Sequence, residues 1–225
     1  LAEQYGSFPA GTTVTVATSF TGVEAERFDA SVADFSRCTG VTIVQNGSDE
    51  LENQLRAELG GSATDLADLA VVPQPGLVTD LARHGRIVPL PEAVGANTEL
   101  GWDRIWSDAG RVDGELYGAP LMASVKSFVW YSPVAFERAG YRVPATWDEL
   151  RTAAQTLTSG ERYGIAFCAK ASYEGSWQFL PFFWSAGADE TDIATQKAAD
   201  ALQLWVDLVS NGWASQSVLN WNQAE

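Results

Sequence analysis

The chain has 225 residues, 46% of them hydrophobic, enough for one large domain or two smaller ones. Its 29 acidic and 14 basic residues give a formal net charge of -15, spread along the chain. The basic footprint of a nucleic-acid binder is missing, and the charge reads as a soluble surface that resists association.

No run of about 18 apolar residues offers a membrane span. Leu1 to Gly6 carries neither the basic nor the apolar region of an export signal, so any such signal is expected to be gone already or never to have existed. Thr13 to Ala17 alternates with period two and predicts a strand, followed by a small polar turn, Thr18 to Gly22. Phe28, Val32 and Phe35 stand at i, i+4 and i+7 and predict a helix that Gly40 closes. Val41 to Val44 predicts a second strand and Asn46 to Ser48 a turn. Asp49 is placed as the cap of a helix carrying Leu51, Leu55 and Leu59. Leu69 to Val72 predicts a short strand ended by Pro73 to Gly76, and Leu77 to His84 a third helix with Gly85 past its end.

Three strand-helix units in succession need crossover connections and therefore a parallel sheet. Ligands of such sheets sit beyond the carboxyl ends of the strands. Those ends carry Thr18 to Gly22, Asn46 to Asp49 and Pro73 to Gly76, all small and polar. An ordinary solvated loop has the same composition.

The pattern changes at Val112. Val112 to Tyr117 predicts a hairpin with Asp113 and Gly114 as its turn. Gly118 to Pro120 leads into an apolar strand, Ser127 to Tyr131 predicts another, and Gly164 to Cys168 a third. Thr146 and Glu149 make a capping box. Ala198, Leu202, Trp205 and Val209 predict the apolar stripe of a helix. A lobe boundary is placed near residue 118, giving lobes 1–117 and 118–225, with no repeat and no low-complexity linker.

Cys38, Cys168 and His84 form no cluster with zinc spacing, so no metal or other cofactor is expected. The two cysteines are read as unpaired, mostly buried small hydrophobes, a disulfide being the alternative. Nine tryptophans are many for this length. Most belong in a core, but tryptophan also suits stacking on a flat apolar ligand face.

Asp113 to Pro120, Val129 to Pro133, Phe136 to Gly140 and Pro144 to Leu150, in that order, resemble the family 1 extracellular solute-binding proteins. Thr12 to Phe35, Pro73 to Gly76 and Glu174 to Asp189 resemble its α-glucoside-binding branch. The resemblance implies an α/β, two-lobe periplasmic-binding-protein-like fold of type II, with parallel sheets flanked by helices. It also implies an extracytoplasmic protein, periplasmic or lipid-anchored at the outer face of the membrane. Such a protein is a monomer that captures a sugar or oligosaccharide between its lobes and hands it to the membrane subunits of an ABC importer. Family members are nearly twice as long, so the last strands and helices of both lobes are expected to be missing from this chain. Apolar surface or an unpaired strand edge is expected where they would pack. Ala63 to Leu66 also adds residues where relatives have a short turn.

A sugar offers hydroxyls and apolar C–H faces, so its site needs planar hydrogen-bonding groups and aromatic platforms. Candidates in the first lobe are Thr18, Ser19, Glu24, Asn46, Asp49 and Gln74. Relatives place a hydroxyl-binding carboxylate at the position of Glu24. The alternative is a first-turn charge favoured by the helix dipole. In the second lobe they are Ser124, Lys126, Glu174, Trp177 and Gln178. Lys126, among apolar neighbours, either snorkels outward or faces a polar site. Trp177 is either the stacking aromatic that relatives carry at the matching position or a core residue.

An enzyme is the competing class. A glycosidase needs two flanking carboxylates, and 29 acidic residues make some pair inevitable. His84 sits at a helix end, and no Gly-x-Ser-x-Gly elbow accompanies it. The expected chemistry is therefore binding without catalysis. A non-transport extracellular interaction module is the remaining alternative.

Overall fold

A computed structural model of the chain describes residues 8–60, 67–171 and 173–221. The insertion read at Ala63 to Leu66 and the ends Leu1 to Gly6 and Asn222 to Glu225 lie outside the described residues. The chain packs as two compact units, Leu1–Ala123 and Ser124–Glu225. The change of pattern in the sequence places the division near residue 118.

In the first unit β1 (Thr13–Thr18) lies between β2 (Thr42–Gly47) and β3 (Leu69–Ala70), all parallel, in the order β2-β1-β3. β1 is made of threonine, valine and one alanine, and β-branched side chains suit a pleated surface. The last three residues of β1 are buried. There Ala17 meets Leu51 and Leu55 of α2 (Leu51–Leu59) and Leu77 and Leu81 of α3 (Pro75–Arg83). Each leucine pair is spaced i, i+4, so each helix offers one apolar face to the sheet. Burying such a leucine stabilises by roughly 2 kcal/mol relative to leaving it exposed. α1 (Gly22–Thr39) buries no residue completely. Its predicted face of Phe28, Val32 and Phe35 is half-buried, with Phe28 5.9 Å from the Phe20 ring.

Two local expectations change. The cap of α2 is Glu50, not Asp49, and the hydroxyl of Ser48 accepts the Glu50 backbone N–H instead. β3 is only two residues long, although the Val71 N–H still donates to the Ala17 carbonyl. Beyond it Pro73 has no N–H to continue a ladder.

Asp68 clamps β3 to β1. Its Oδ2 accepts the backbone N–H of Thr15 at 2.8 Å and the Thr15 hydroxyl at 2.7 Å. These bonds, the backbone one first, hold its carboxyl below the ordinary 3.8. A carboxyl whose folded value is depressed stabilises fully above its unfolded value and loses that contribution as the pH falls through the folded one. Asp68→Asn should therefore melt lower than wild type at pH 7, with the gap closing in acid below pH 3.8. Melting curves across that range check it, and coincident curves at pH 7 would refute the clamp.

The first unit continues through α4 (Glu92–Gly101) and α5 (Arg104–Ser107) into a hairpin of β4 (Arg111–Val112) and β5 (Glu115–Leu116). Asp113 (φ 51°) and Gly114 (φ 92°) are both left-handed, as a two-residue type I′ turn requires. This is the predicted Asp-Gly turn.

The second unit holds α6 (Pro133–Ala139), α7 (Trp147–Leu157), α8 (Tyr173–Ser185) and α9 (Gln196–Ser210). The capping at the start of α7 is present, with the Glu149 bond reaching one residue past the N-cap. The Thr146 hydroxyl accepts the Glu149 N–H at 3.2 Å, and the Glu149 carboxylate accepts the Ala145 N–H at 2.7 Å. Ala154, Leu208, Ala214 and Val218 form the core, flanked by Ile165, Phe167 and Trp213.

None of the three predicted strands of this region forms a paired strand among the described residues, and Ser127, at φ 71°, is left-handed rather than extended. Gly164 and Ile165 donate to the Trp213 carbonyl in the bend after α9, and Ala169 to that of Val218 in the 3-10 helix Gln216–Asn220, so this segment packs on those elements rather than on a strand. Residues 121–131 expose Met122, Val125, Phe128 and Trp130, the last at 87%. The buried face of α9 is turned from the predicted stripe, of which Ala198, Trp205 and Val209 are half-buried. Ala201, Leu204 and Leu208 are buried, while Leu202 is 53% exposed. Cys38 and Cys168 form no disulfide, and Cys38 is exposed rather than buried.

Candidate functional site

Parallel pairing puts the carboxyl ends of β1, β2 and β3 on one edge. Thr18 stands opposite Gly47, and Ala17 is flanked by Asn46 and Ala70. The turns Thr18 to Gly22, Asn46 to Asp49 and Pro73 to Gly76 all leave from that edge, and α1, α2 and α3 begin there. Three helix amino termini point their unpaired N–H groups to this edge, beside the exposed carboxylates of Glu24, Asp49 and Glu50.

The candidates on this edge differ in accessibility. Thr18 is fully buried, and its hydroxyl oxygen accepts the Phe20 N–H at 3.0 Å and the Gln45 amide. It shapes the turn that presents Ser19, which is half-buried. Glu24 is exposed in the first turn of α1. Asn46 and Asp49 are exposed at the end of β2, and Gln74 is the half-buried N-cap residue of α3, its side chain making no cap bond. Gln45, which sequence reading passed over, ties β2 to the turn by donating to both Thr18 and the Phe20 carbonyl.

The second unit has its own set. Glu174, Trp177 and Gln178 stand at i, i+3 and i+4 of α8, hence on one helix face. The helix begins at Tyr173, so Trp177 lies past its first turn rather than at its start. Glu174 is buried, and the Gln178 side-chain oxygen accepts the Cys168 N–H at 2.8 Å. Trp177 is half-buried.

The Lys126 ammonium sits 4.4 Å from the centroid of the Trp177 ring. That is a cation–π contact, attractive because the ring face is negative. Tyr173 packs against the same ring at 4.7 Å between centroids. Lys126 and Trp177 are separate candidates in the sequence, and the fold brings them together. Ser124 is exposed on the segment that carries Lys126.

The other chemical candidates lie elsewhere. The Nδ1 of His84, at the carboxyl end of α3, lies 2.8 Å from the Asp80 carbonyl oxygen. Among the described residues no group of three or more His, Cys, Asp and Glu could hold a metal ion, and no helix is long and apolar enough to cross a membrane. Two open grooves of the first unit, at Asn97 to Trp102 and around Arg104 and Arg111, contain none of the candidate residues.

Comparison with known proteins adds the context. The model of the family described as bacterial extracellular solute-binding protein matches residues 21–225. The osmoprotective compounds-binding protein GgtB of Synechocystis sp. is 38% identical over 146 residues, covering 64% of this chain and 34% of that protein. The alpha-glucosides-binding periplasmic protein AglE of Rhizobium meliloti is 33% identical over 162 residues, 68% of this chain and 34% of that one. The matched segment thus spans 34% of the length of each relative.

Among solved structures, maltose-bound MalE3 of T. maritima matches with a TM-score of 0.74 at 21% identity, covering 95% of this chain and 57% of that one. A solute-binding protein of Thermotoga lettingae bound with alpha-D-tagatose matches with a TM-score of 0.76 at 20% identity, covering 95% and 58%. These likenesses show the fold, the α/β architecture of type II periplasmic-binding proteins. With the family match reaching from the start of α1 to the last residue, this chain belongs to the bacterial extracellular solute-binding proteins.

Proposed function

We propose that the protein captures a sugar or oligosaccharide outside the cytoplasmic membrane and delivers it, chemically unchanged, to the membrane subunits of an ABC importer. The observation that carries this reading is the 33% identity to an alpha-glucosides-binding protein over 68% of the chain. The edge of the parallel sheet supplies Ser19, Glu24, Asn46, Asp49 and Gln74 as partners for hydroxyls, with Thr18 shaping the turn that presents Ser19. The second unit supplies Ser124, Lys126, Glu174, Trp177 and Gln178, a cationic donor over a flat ring among them. This is the mixture of hydrogen-bonding groups and aromatic surface that a sugar requires.

The test is a thermal-shift screen of the full-length protein against maltose, trehalose, glucose and longer α-glucosides, with product analysis of each mixture. A ligand that binds only the folded state raises the melting temperature. At least one sugar should do so and be recovered intact. No shift with any sugar, or conversion of the bound one, would overturn the reading.

Trp177→Ala should weaken affinity for the best sugar of that screen by at least about tenfold. It removes an aromatic contact of about 1 kcal/mol beyond area burial, together with the seat of Lys126. The ligand-free melting temperature should change little, because a half-buried side chain leaves only a small cavity. Titration calorimetry and melting of both proteins check this. Unchanged affinity with a large stability loss would make Trp177 a core residue.

A further inference from the structure

Helix α8 carries a proline in its interior, Pro181. A proline has no N–H, so it cannot donate to the carbonyl four residues earlier. That carbonyl belongs to Trp177. Its oxygen instead accepts a hydrogen bond from the hydroxyl of Ser127, fifty positions away in sequence and next to Lys126. The backbone of Ser127 is left-handed at φ 71°, uncommon for any residue but glycine, in a segment with no paired strand among the described residues to hold it. The neighbouring Lys126 ammonium then lies over the ring of the same Trp177.

We infer that Ser127 is a positioning residue for Lys126. The proline frees one carbonyl, the serine takes it, and the segment is pinned to α8 where the ammonium meets the ring. The pin matters because a lysine has four rotatable side-chain bonds, and an untethered segment would leave its charge wandering. Held over the ring, the ammonium presents its donors in one place, where they can meet a sugar oxygen. The inference rests on the proposed role of Lys126 and Trp177 in sugar binding.

The test uses the full-length protein and two independent readouts. In ligand-free protein the Lys126 ε-methylene protons, assigned with Lys126→Arg, should be shifted upfield in carbon–proton spectra by the indole ring. Ser127→Ala should abolish that shift. Serine and alanine meet the same left-handed backbone, so the exchange isolates the hydroxyl. Pro181→Ala restores an N–H to position 181 and gives the Trp177 carbonyl a helical donor. The melting loss caused by Ser127→Ala should then be smaller in the Pro181→Ala background than in wild type.

An upfield shift that survives Ser127→Ala, or one absent from wild type, would overturn the inference, as would strictly additive melting effects. Calorimetry with the best sugar of the screen is the second readout, where Ser127→Ala should weaken affinity about fivefold. If the spectral shift is lost while Lys126→Ala leaves affinity unchanged, the positioning stands and the assignment of Lys126 to the sugar site falls.

Discussion

Gly164→Ala should destabilise the protein by at least about 3 kcal/mol, at the upper end of overpacking costs. A Cβ at Gly164 would lie 1.8 Å from the carbonyl oxygen of Ala154 and 2.6 Å from its carbon. Both are backbone atoms, so no side chain can turn aside. Neither partner can retreat. Ala154 belongs to α7 and is 1% exposed against Leu208, Ala214 and Val218, and its carbonyl accepts the N–H and the hydroxyl of Thr158. On the other side the Gly164 N–H donates to the Trp213 carbonyl at 2.9 Å and the Thr158 hydroxyl at 3.0 Å. The segment is held between two fixed elements that leave no room for a methyl group.

Denaturant titration measures the effect as a lower midpoint at unchanged slope. Gly76→Ala is the control, because a Cβ there meets nothing within 4 Å and the position lies in the first turn of α3. It should be neutral or slightly stabilising. Equal midpoints for the two variants would mean that the segment after α7 does not pack as described.

Leu208→Ala should cost about 3 to 4 kcal/mol, from lost transfer energy plus the cavity that remains. Leu208 is completely buried and occupies the centre of the second unit's core. Collapse of its surroundings is limited on several sides. The Ala214 N–H donates to the Leu208 carbonyl at 2.8 Å, and the Gly164 segment hangs on Trp213. Leu202→Ala, on the same helix but 53% exposed, should change stability by less than about 1 kcal/mol. Both variants are compared by denaturant unfolding. A Leu202 effect as large as that of Leu208 would restore the stripe that sequence periodicity gave and contradict the packing of α9.

The parallel sheet was legible because each of its parts is written locally. Thr13 to Ala17 alternates, the leucines of α2 and α3 repeat at i, i+4, and chirality leaves crossover connections few alternatives. The hairpin turn at Asp113 and Gly114 and the cap at Thr146 were equally plain, since a left-handed turn and a free helix end each demand particular residues within a few positions. The stripe of α9 was misread because the helix is apolar on two sides. Leu202, Leu204, Trp205, Val206 and Leu208 all satisfy a hydrophobic pattern, and only the neighbouring Ala154 and Val218 select which face is buried.

Sequence alone therefore determined what depends on short stretches of chain: the strand-helix order of the first unit, the edge where its turns gather, and the family motifs. Tertiary structure decided whatever depends on a partner far along the chain. Ser127 to Tyr131 and Gly164 to Cys168 have the composition of strands, but a strand exists only where another pairs with it. Thr18 looks like a ligand contact until Gln45 and the Phe20 N–H take its oxygen. Lys126 and Trp177 are strangers in sequence, and the bond that seats one on the other begins with a proline that withholds an N–H. The physical reason is the same in each case. Propensity and periodicity are properties of neighbours within about two helical turns, while burial, pairing and charge contacts are properties of whatever the fold sets alongside.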